Sequence, residues 1–223
     1  MGEAGGISSP PSARLSAGLG AYHAPPPSTR TLAVTPQAPS AATLIAIAEG
    51  LATLAFALSG LLAAARQRLD AVGVVAVAGL AAFGGGTLRD LLLDRRPFFW
   101  VAHSDWLWAL LGLCLLAMAF LRVRHLVVSL RAMQWPDAVG LGLFSASGTQ
   151  LALAHDLPAI VAVLMGVITA VCGGVLRDIV CNEIPAAFHD HRPYALCAFV
   201  GGWALVALLA FGVGETPALL LAA

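Results

Sequence analysis

Long apolar segments separated by short polar stretches dominate the chain after residue 42. About 20 apolar residues are enough for a helix to cross roughly 30 Å of hydrocarbon, and six segments approach or reach that length. The fourth is short and rich in glycine, and residues 215–223 are enough only for the stub of a seventh helix. The predicted spans are 43–65, 71–93, 104–121, 137–155, 158–182 and 193–211. The pattern predicts an all-α polytopic membrane protein with six spans.

Residues 1–42 have no hydrophobic period and are rich in proline, serine, glycine and alanine. A stretch with so little apolar surface cannot offset the entropy lost on ordering. It also has no apolar core of the kind found in an ordinary secretory signal. We therefore predict a disordered tail.

The composition points to lipid as the main solvent. Hydrophobic residues make up 59% of the chain, charged residues 11%, and the mean hydropathy is +0.86, whereas soluble domains carry about 25% charged residues. The formal net charge is zero, which gives no field that would favour nucleic acid. The loops after spans one, three and five hold most of the loop arginines, Arg66, Arg68, Arg122, Arg124, Arg131 and Arg192. This distribution predicts a cell (inner) membrane protein with its N-terminus outside the cytoplasm.

An internal repeat is visible at an offset of 88 residues. It aligns Leu88-Arg89-Asp90 with Leu176-Arg177-Asp178 and places the preceding glycines in one frame. The repeat divides the chain into a first three-helix unit, 43–130, a second unit, 131–214, and the stub, 215–223. Because each unit has an odd number of spans, the second must be inverted relative to the first.

The stretch FGGGTLRDLLL, residues 83–93, poses the question of what three glycines do in an apolar segment. A phosphate-binding P-loop needs a lysine, and the chain has none. Neither glycine cluster has the spacing of a dinucleotide fingerprint. In a membrane helix, glycines either weaken the helix so that carbonyls face a cavity, or let two helices pack closely. Consecutive glycines favour the first role, and the inversion predicts facing breaks near mid-membrane at Gly84, Gly85, Gly86, Gly173 and Gly174.

Charged and hydroxyl residues suggest where a path through the membrane helices would run. Arg89 and Asp90 are about 100° apart on a helix and are not natural partners. With Arg177 and Asp178 they predict two charged vestibules at opposite mouths rather than a central cross-pair. The alternative is that they are ordinary helix-end charges that extend to water.

Four further polar residues occupy equivalent positions of spans one and four. Ser59 and Ser147 either line the same path or permit close packing. Glu49 and Asp137 either attract cations at a mouth or are solvated carboxylates at helix starts.

No catalytic or metal centre is visible, so we predict neither an enzyme nor a cofactor. The six histidines show no metal-ligand spacing. The four cysteines contain no C-x-x-C pair and are interpreted as small buried hydrophobic residues.

The motifs AFALSG (55–60), FGGGTLRDLLL (83–93), DAVGLGLFSASG (137–148) and ITAVCGGVLRDIVCNEIP (168–185) resemble the prokaryotic trimeric intracellular cation (TRIC) channel family. The same bacterial domain is also labelled a glycine transporter domain. The resemblance covers roughly residues 43–211. It implies two inverted three-helix repeats plus a last helix, assembly as a homotrimer, and a potassium path through each protomer. It also implies that the glycines named above line that path.

Three functions fit these observations. The first is a passive potassium channel in a lipid membrane, and the second is a secondary transporter of a small amino acid such as glycine. The third is a membrane scaffold whose glycines only pack.

Overall fold

The computed structural model describes residues 41–124, 130–188 and 193–223, and the residues in these ranges form helices joined by short loops. The predicted tail lies outside the described residues except for its last two, which begin the first helix. No strand occurs in the described ranges. The helices are α1 Ala41–Arg66, α2 Ala71–Leu92, α3 Phe99–Ala102, α4 Asp105–Arg124, α5 Leu130–Leu153, α6 Ala159–Val180, α7 Tyr194–Ala210 and α8 Glu215–Ala222, with a 3-10 turn at Ala186–Phe188. α5 begins seven positions before the predicted 137, because Pro136 is accommodated in its second turn and does not end it.

Several of these helices are apolar enough to cross a membrane. Thr43–Arg66, Ala71–Leu92 and Ala159–Val180 meet the length and hydropathy of a span, and Asp105–Ala119 and Tyr194–Ala210 are shorter apolar helices. α5 is less apolar, because it carries buried polar residues, among them Ser145, Ser147 and Thr149. Large apolar side chains such as Val72 and Trp108 are instead exposed on the outside of the protomer, 76% and 73%, as expected for a multi-pass membrane protein.

The 88-residue offset recurs in the backbone. α6 begins and ends 88 residues after α2. The non-glycine residues with positive φ in the described ranges fall into two pairs at the same offset, Arg68 with Asp156 and Asp94 with Asn182. Their φ values of 55° and 57°, and of 50° and 55°, show that both repeats end the corresponding helices in the same left-handed conformation.

α2 and α6 cross in opposite directions. A Cβ atom added at Gly85 would meet the carbonyl oxygen of Thr169, and one added at Gly173 would meet the carbonyl oxygen of Ala81. Residues later in α2 therefore contact residues earlier in α6. This is the antiparallel arrangement of an inverted repeat. Between α1 and α5, Phe56 stacks on its own repeat counterpart, Phe144, with ring centroids 5.6 Å apart.

The prediction of breaks at the glycines needs correction. Both α2 and α6 are continuous helices through their glycine clusters. The physical reason is that close packing against the partner helix holds the backbone in helical conformation despite the low helix propensity of glycine. At Gly85 and Gly173 the structure therefore favours the packing role.

The N-terminus of α2 supports a first testable prediction. Asp70 accepts a hydrogen bond from the backbone N–H of Gly73 at 2.8 Å, whereas its repeat counterpart, Pro158, makes no side-chain cap. Asp70→Ala should lower the free energy of unfolding by about 1 kcal/mol, because one helix-end donor loses its acceptor. Asp70→Asn, which keeps an accepting oxygen, should have less effect in the same thermal unfolding experiment.

Candidate functional site

The first of two buried ion clusters is centred on Arg89. Its guanidinium donates hydrogen bonds to the Glu49 carboxylate on α1 and to Asp90 Oδ1, the latter at 3.0 and 2.7 Å. Asp90 Oδ2 accepts a further bond from the backbone N–H of Phe99 at 3.0 Å. The side chains of Arg89 and Asp90 are both 0% exposed. One guanidinium is thus shared by two carboxylates in the protein interior.

The second cluster repeats this arrangement around Arg177. The guanidinium donates to Asp137 at 2.5 Å and to Asp178 at 2.8 Å, and Asp178 Oδ2 accepts from the backbone N–H of Ala186. Two hydroxyl groups join it. Ser59 Oγ, from the other repeat, contacts both Arg177 and Asp137, and the Tyr194 hydroxyl donates to Asp137 Oδ2 at 2.7 Å.

Two sequence-based interpretations are wrong at these clusters. Arg89 and Asp90 are hydrogen-bonded to each other, as are Arg177 and Asp178, because the long arginine side chain covers the 100° that separates their Cβ atoms. Glu49 and Asp137 are not solvated helix-start carboxylates. Their side chains are 11% and 7% exposed. Each binds an arginine that lies 40 residues later in the chain, on another helix.

The clusters lie on opposite sides of the α2–α6 crossing. Arg89 follows Gly85 by four residues and Arg177 follows Gly173 by four, which is about 6 Å along two helices that run in opposite directions. Among the described contacts, Arg89 and Asp178 do not meet. The four motif charges are buried in this protomer, and their role as vestibules stays a prediction.

The remaining glycines border this site. A Cβ atom at Gly86 would lie 2.6 Å from the Phe99 ring, and one at Gly174 would lie 3.3 Å from the Tyr194 hydroxyl. A Cβ atom at Gly84 would lie 2.6 Å from Leu176. The motif glycines therefore leave room both for the helix crossing and for the groups around each cluster.

The two predicted serines differ in their contacts. Ser59 and Ser147 are both 0% exposed. Ser59 bonds to the Arg177 cluster, while Ser147 Oγ has no hydrogen-bond partner among the described residues.

A cavity adjoins the second cluster. It has a volume of about 440 Å³ and lies between α5, α6, α7 and α8, with Asp137, Arg177 and Tyr194 on its wall. In the first repeat Trp106 takes the place of Tyr194, and its ring fills the space over Gly50, 2.6 Å from where a Cβ atom would stand. The 88-residue offset aligns Tyr194 with Trp106, and the tyrosine hydroxyl is the group that reaches the cluster.

The prediction that all four cysteines are buried needs correction. Cys114 and Cys181 are buried, Cys172 is partly buried, and Cys197 is exposed on the wall of the cavity. Within the described ranges, no group of three or more histidine, cysteine, aspartate or glutamate side chains could hold a metal ion.

The chain is similar in sequence to known membrane proteins. The family model described as "Glycine transporter" matches residues 46–122 and 134–210, so it matches both repeats. A UPF0126 membrane protein of Vibrio cholerae is 36% identical over 177 residues, 79% of this chain and 73% of that protein. The UPF0126 inner membrane protein YadS of Escherichia coli is 36% identical over 154 residues, 67% of this chain and 72% of that protein.

A solved structure extends the similarity to three dimensions. The TRIC trimeric intracellular cation channel orthologue from Rhodobacter sphaeroides superimposes with a TM-score of 0.75 at 35% identity, covering 81% of this chain and 91% of that one. The chain therefore belongs to the family described as glycine transporter, which is the prokaryotic trimeric intracellular cation (TRIC) channel family.

Proposed function

We propose that this protein is a passive cation channel with a path through each protomer, between α1, α2, α5 and α6. The observation that carries the proposal is the charge of the buried Arg177 cluster. It holds two carboxylates for one guanidinium, so it has a formal charge of −1. At the Arg89 cluster Arg95 Nη1 lies 3.8 Å from Asp90 Oδ1, so a second guanidinium balances the two carboxylates there. In a low-dielectric interior such a charge attracts cations and repels anions strongly.

The proposed path runs from one cluster to the other past the helix crossing. Gly84, Gly85 and Gly86 on α2, with Gly173 and Gly174 on α6, lie along this part of the proposed path, where the structure packs the two helices closely or leaves room for the groups around each cluster. Ser59 and Ser147 supply hydroxyl oxygens near its two ends. Because the clusters are closed in this protomer, conduction requires the arginine side chains to move from their carboxylates.

The solved relative supports the assembly and the ion class. That protein is described as a trimeric cation channel. We extend both properties to this chain as a homotrimer in the lipid of the cell (inner) membrane, with potassium as the main permeant ion. The N-terminus is placed outside the cytoplasm on the arginine distribution alone.

The test is a recording from purified protein in planar bilayers under a tenfold potassium chloride gradient. A potassium-selective channel should give unitary currents that reverse near 59 mV in magnitude, on the side of the potassium equilibrium potential, about the value for a singly charged ion. Currents that reverse near the chloride potential would contradict the proposal.

A secondary transporter of glycine is the second candidate, because the matching family model is described as "Glycine transporter". Proteoliposomes loaded with potassium and given radiolabelled glycine distinguish the two. A channel should show no saturable glycine uptake, and glycine should not alter the currents. Saturable uptake without unitary currents would favour the transporter. The absence of both uptake and currents would favour a membrane scaffold.

A further inference from the structure

The two ion clusters differ in their link to the opposite repeat. At the Arg177 cluster, Ser59 Oγ donates to Asp137 Oδ1 at 3.1 Å and thereby connects α1 to α5. The 88-residue offset maps Ser59 to Ser147 and Asp137 to Glu49. The equivalent connection is nevertheless missing, because Ser147 Oγ has no hydrogen-bond partner in the described part of the chain.

Unsatisfied polar atoms are concentrated at this end of the molecule. The buried side-chain atoms without a hydrogen-bond partner in the described ranges are Arg95 Nη1, Ser147 Oγ, Thr149 Oγ1 and Gln150 Oε1. Arg95 follows the C-terminus of α2, and its Nη1 lies 3.8 Å from Asp90 Oδ1, so this cationic donor is paired with a carboxylate and cannot ligate a cation. The other three atoms lie in the C-terminal part of α5. Buried polar atoms normally have a partner, so these oxygens are groups that a bound cation or water would satisfy.

Two of these atoms belong to one face of α5. Gly140 and Phe144 pack on Phe56 of α1, and Ser147 continues that stripe at the next three-residue step. Gln150 follows three residues later. Its amide nitrogen donates to Glu215 at 3.2 Å, which leaves Gln150 Oε1 as a free acceptor. Ser147 and Gln150 are 0% and 6% exposed.

The Glu49 carboxylate completes the group on the α1 side. Its Oε1 accepts from Arg89. At the other cluster the second carboxylate oxygen of Asp137 is covered by the Tyr194 hydroxyl. The residue equivalent to Tyr194 is Trp106, which has no hydroxyl to donate, so the first repeat does not supply the same cover for Glu49.

We infer that Glu49, Ser147 and Gln150 form a binding site for a dehydrated monovalent cation beside the Arg89 cluster. One carboxylate with neutral hydroxyl and amide oxygens suits a singly charged ion, whereas magnesium demands near-ideal octahedral geometry and calcium six to eight oxygens. The inference rests on the proposed function, since it places a stopping point for the permeant ion at one end of the path. At the opposite cluster the equivalent carboxylate oxygens of Asp137 are already hydrogen-bonded to Ser59 and Tyr194 in this protomer.

The first experiment measures the melting temperature of the full-length protein in detergent as potassium chloride replaces N-methylglucamine chloride at constant ionic strength. Potassium should raise the melting temperature of the wild type. In Ser147→Ala the potassium concentration for half of that rise should increase about tenfold, because one oxygen ligand is lost. Thr149→Val is the matched control. It also removes a buried, unpartnered hydroxyl from α5, but on the face towards Gly166 and Gly202, so it should keep the wild-type potassium response.

A potassium response that is equal in the wild type and Ser147→Ala would overturn the site. Should Ser147→Ala fail to fold, rubidium anomalous scattering from crystals of the wild type decides. A rubidium peak between Glu49 and Ser147 supports the site, and a water molecule there without rubidium overturns it. Potassium currents with no bound rubidium would refute this inference and leave the channel intact, whereas bound rubidium without currents would refute the channel.

Discussion

Gly85→Ala should destabilise the protein by about 3 kcal/mol, although alanine is the better helix former by about 1 kcal/mol. The new Cβ atom would overlap the carbonyl oxygen of Thr169. A backbone atom of a packed helix cannot turn aside as the end of a flexible side chain can. α2 and α6 would have to separate, which exposes the crossing on which both ion clusters depend. The measurement is the free energy of unfolding from a denaturant titration in detergent.

Gly112→Ala on α4 is the control for this variant. A Cβ atom added there has no neighbour within 4 Å. Only the propensity gain remains, so Gly112→Ala should be neutral or more stable by up to about 1 kcal/mol. The two substitutions are chemically identical and are expected to act in opposite directions. Equal effects would show that the crossing does not require glycine.

Arg177→Met should lower the free energy of unfolding by about 3–5 kcal/mol. The substitution keeps a long apolar side chain but leaves the carboxylates of Asp137 and Asp178, 7% exposed each, without their cation. Uncompensated charge in the interior is far more costly than the loss of a surface pair. Adding Asp137→Asn to Arg177→Met should therefore recover part of the loss. The comparison uses the same denaturant titration.

Arg66→Met serves as the matched control for the loss of an ion-paired arginine. Arg66 lies 3.5 Å from Glu183, and the two side chains are 36% and 34% exposed. Solvent screens such a pair, so its loss should cost less than about 1 kcal/mol. A comparable loss in Arg66→Met and Arg177→Met would contradict the view that burial makes the Arg177 cluster a structural requirement.

Much of the fold could be predicted because it follows from periods and lengths. The apolar segments predicted the long helices, and the identity of Leu88-Arg89-Asp90 with Leu176-Arg177-Asp178 predicted two inverted units. Those inferences need only local composition and the count of spans. They fail first at α5, where Pro136 and a run of polar residues mark a helix that is stabilised by its neighbours more than by its own apolarity.

The candidate site was predicted in its residues but not in its contacts. Spacing along a helix describes Cβ directions, so it missed the bond between Arg89 and Asp90. It also gave neither reading of Glu49 and Asp137, cation attraction at a mouth or a solvated helix-start acid, an arginine partner. Those partners lie 40 residues away on another helix. Trp106 and Tyr194 differ in role because the Trp106 ring fills the space over Gly50, whereas the Tyr194 hydroxyl donates to the Asp137 carboxylate.

By itself, the sequence determined the solvent, the helices and the inverted duplication, because hydrophobic length and an odd number of spans per repeat depend on no distant contact. Only the tertiary structure decided that α2 and α6 stay continuous and cross at their glycines, and that each arginine is shared by two buried carboxylates. It also decided that the two ends differ, with Ser59 bonded and Ser147 without a partner. The physical reason is that close packing and the pairing of buried charge are properties of atoms brought together from distant parts of the chain.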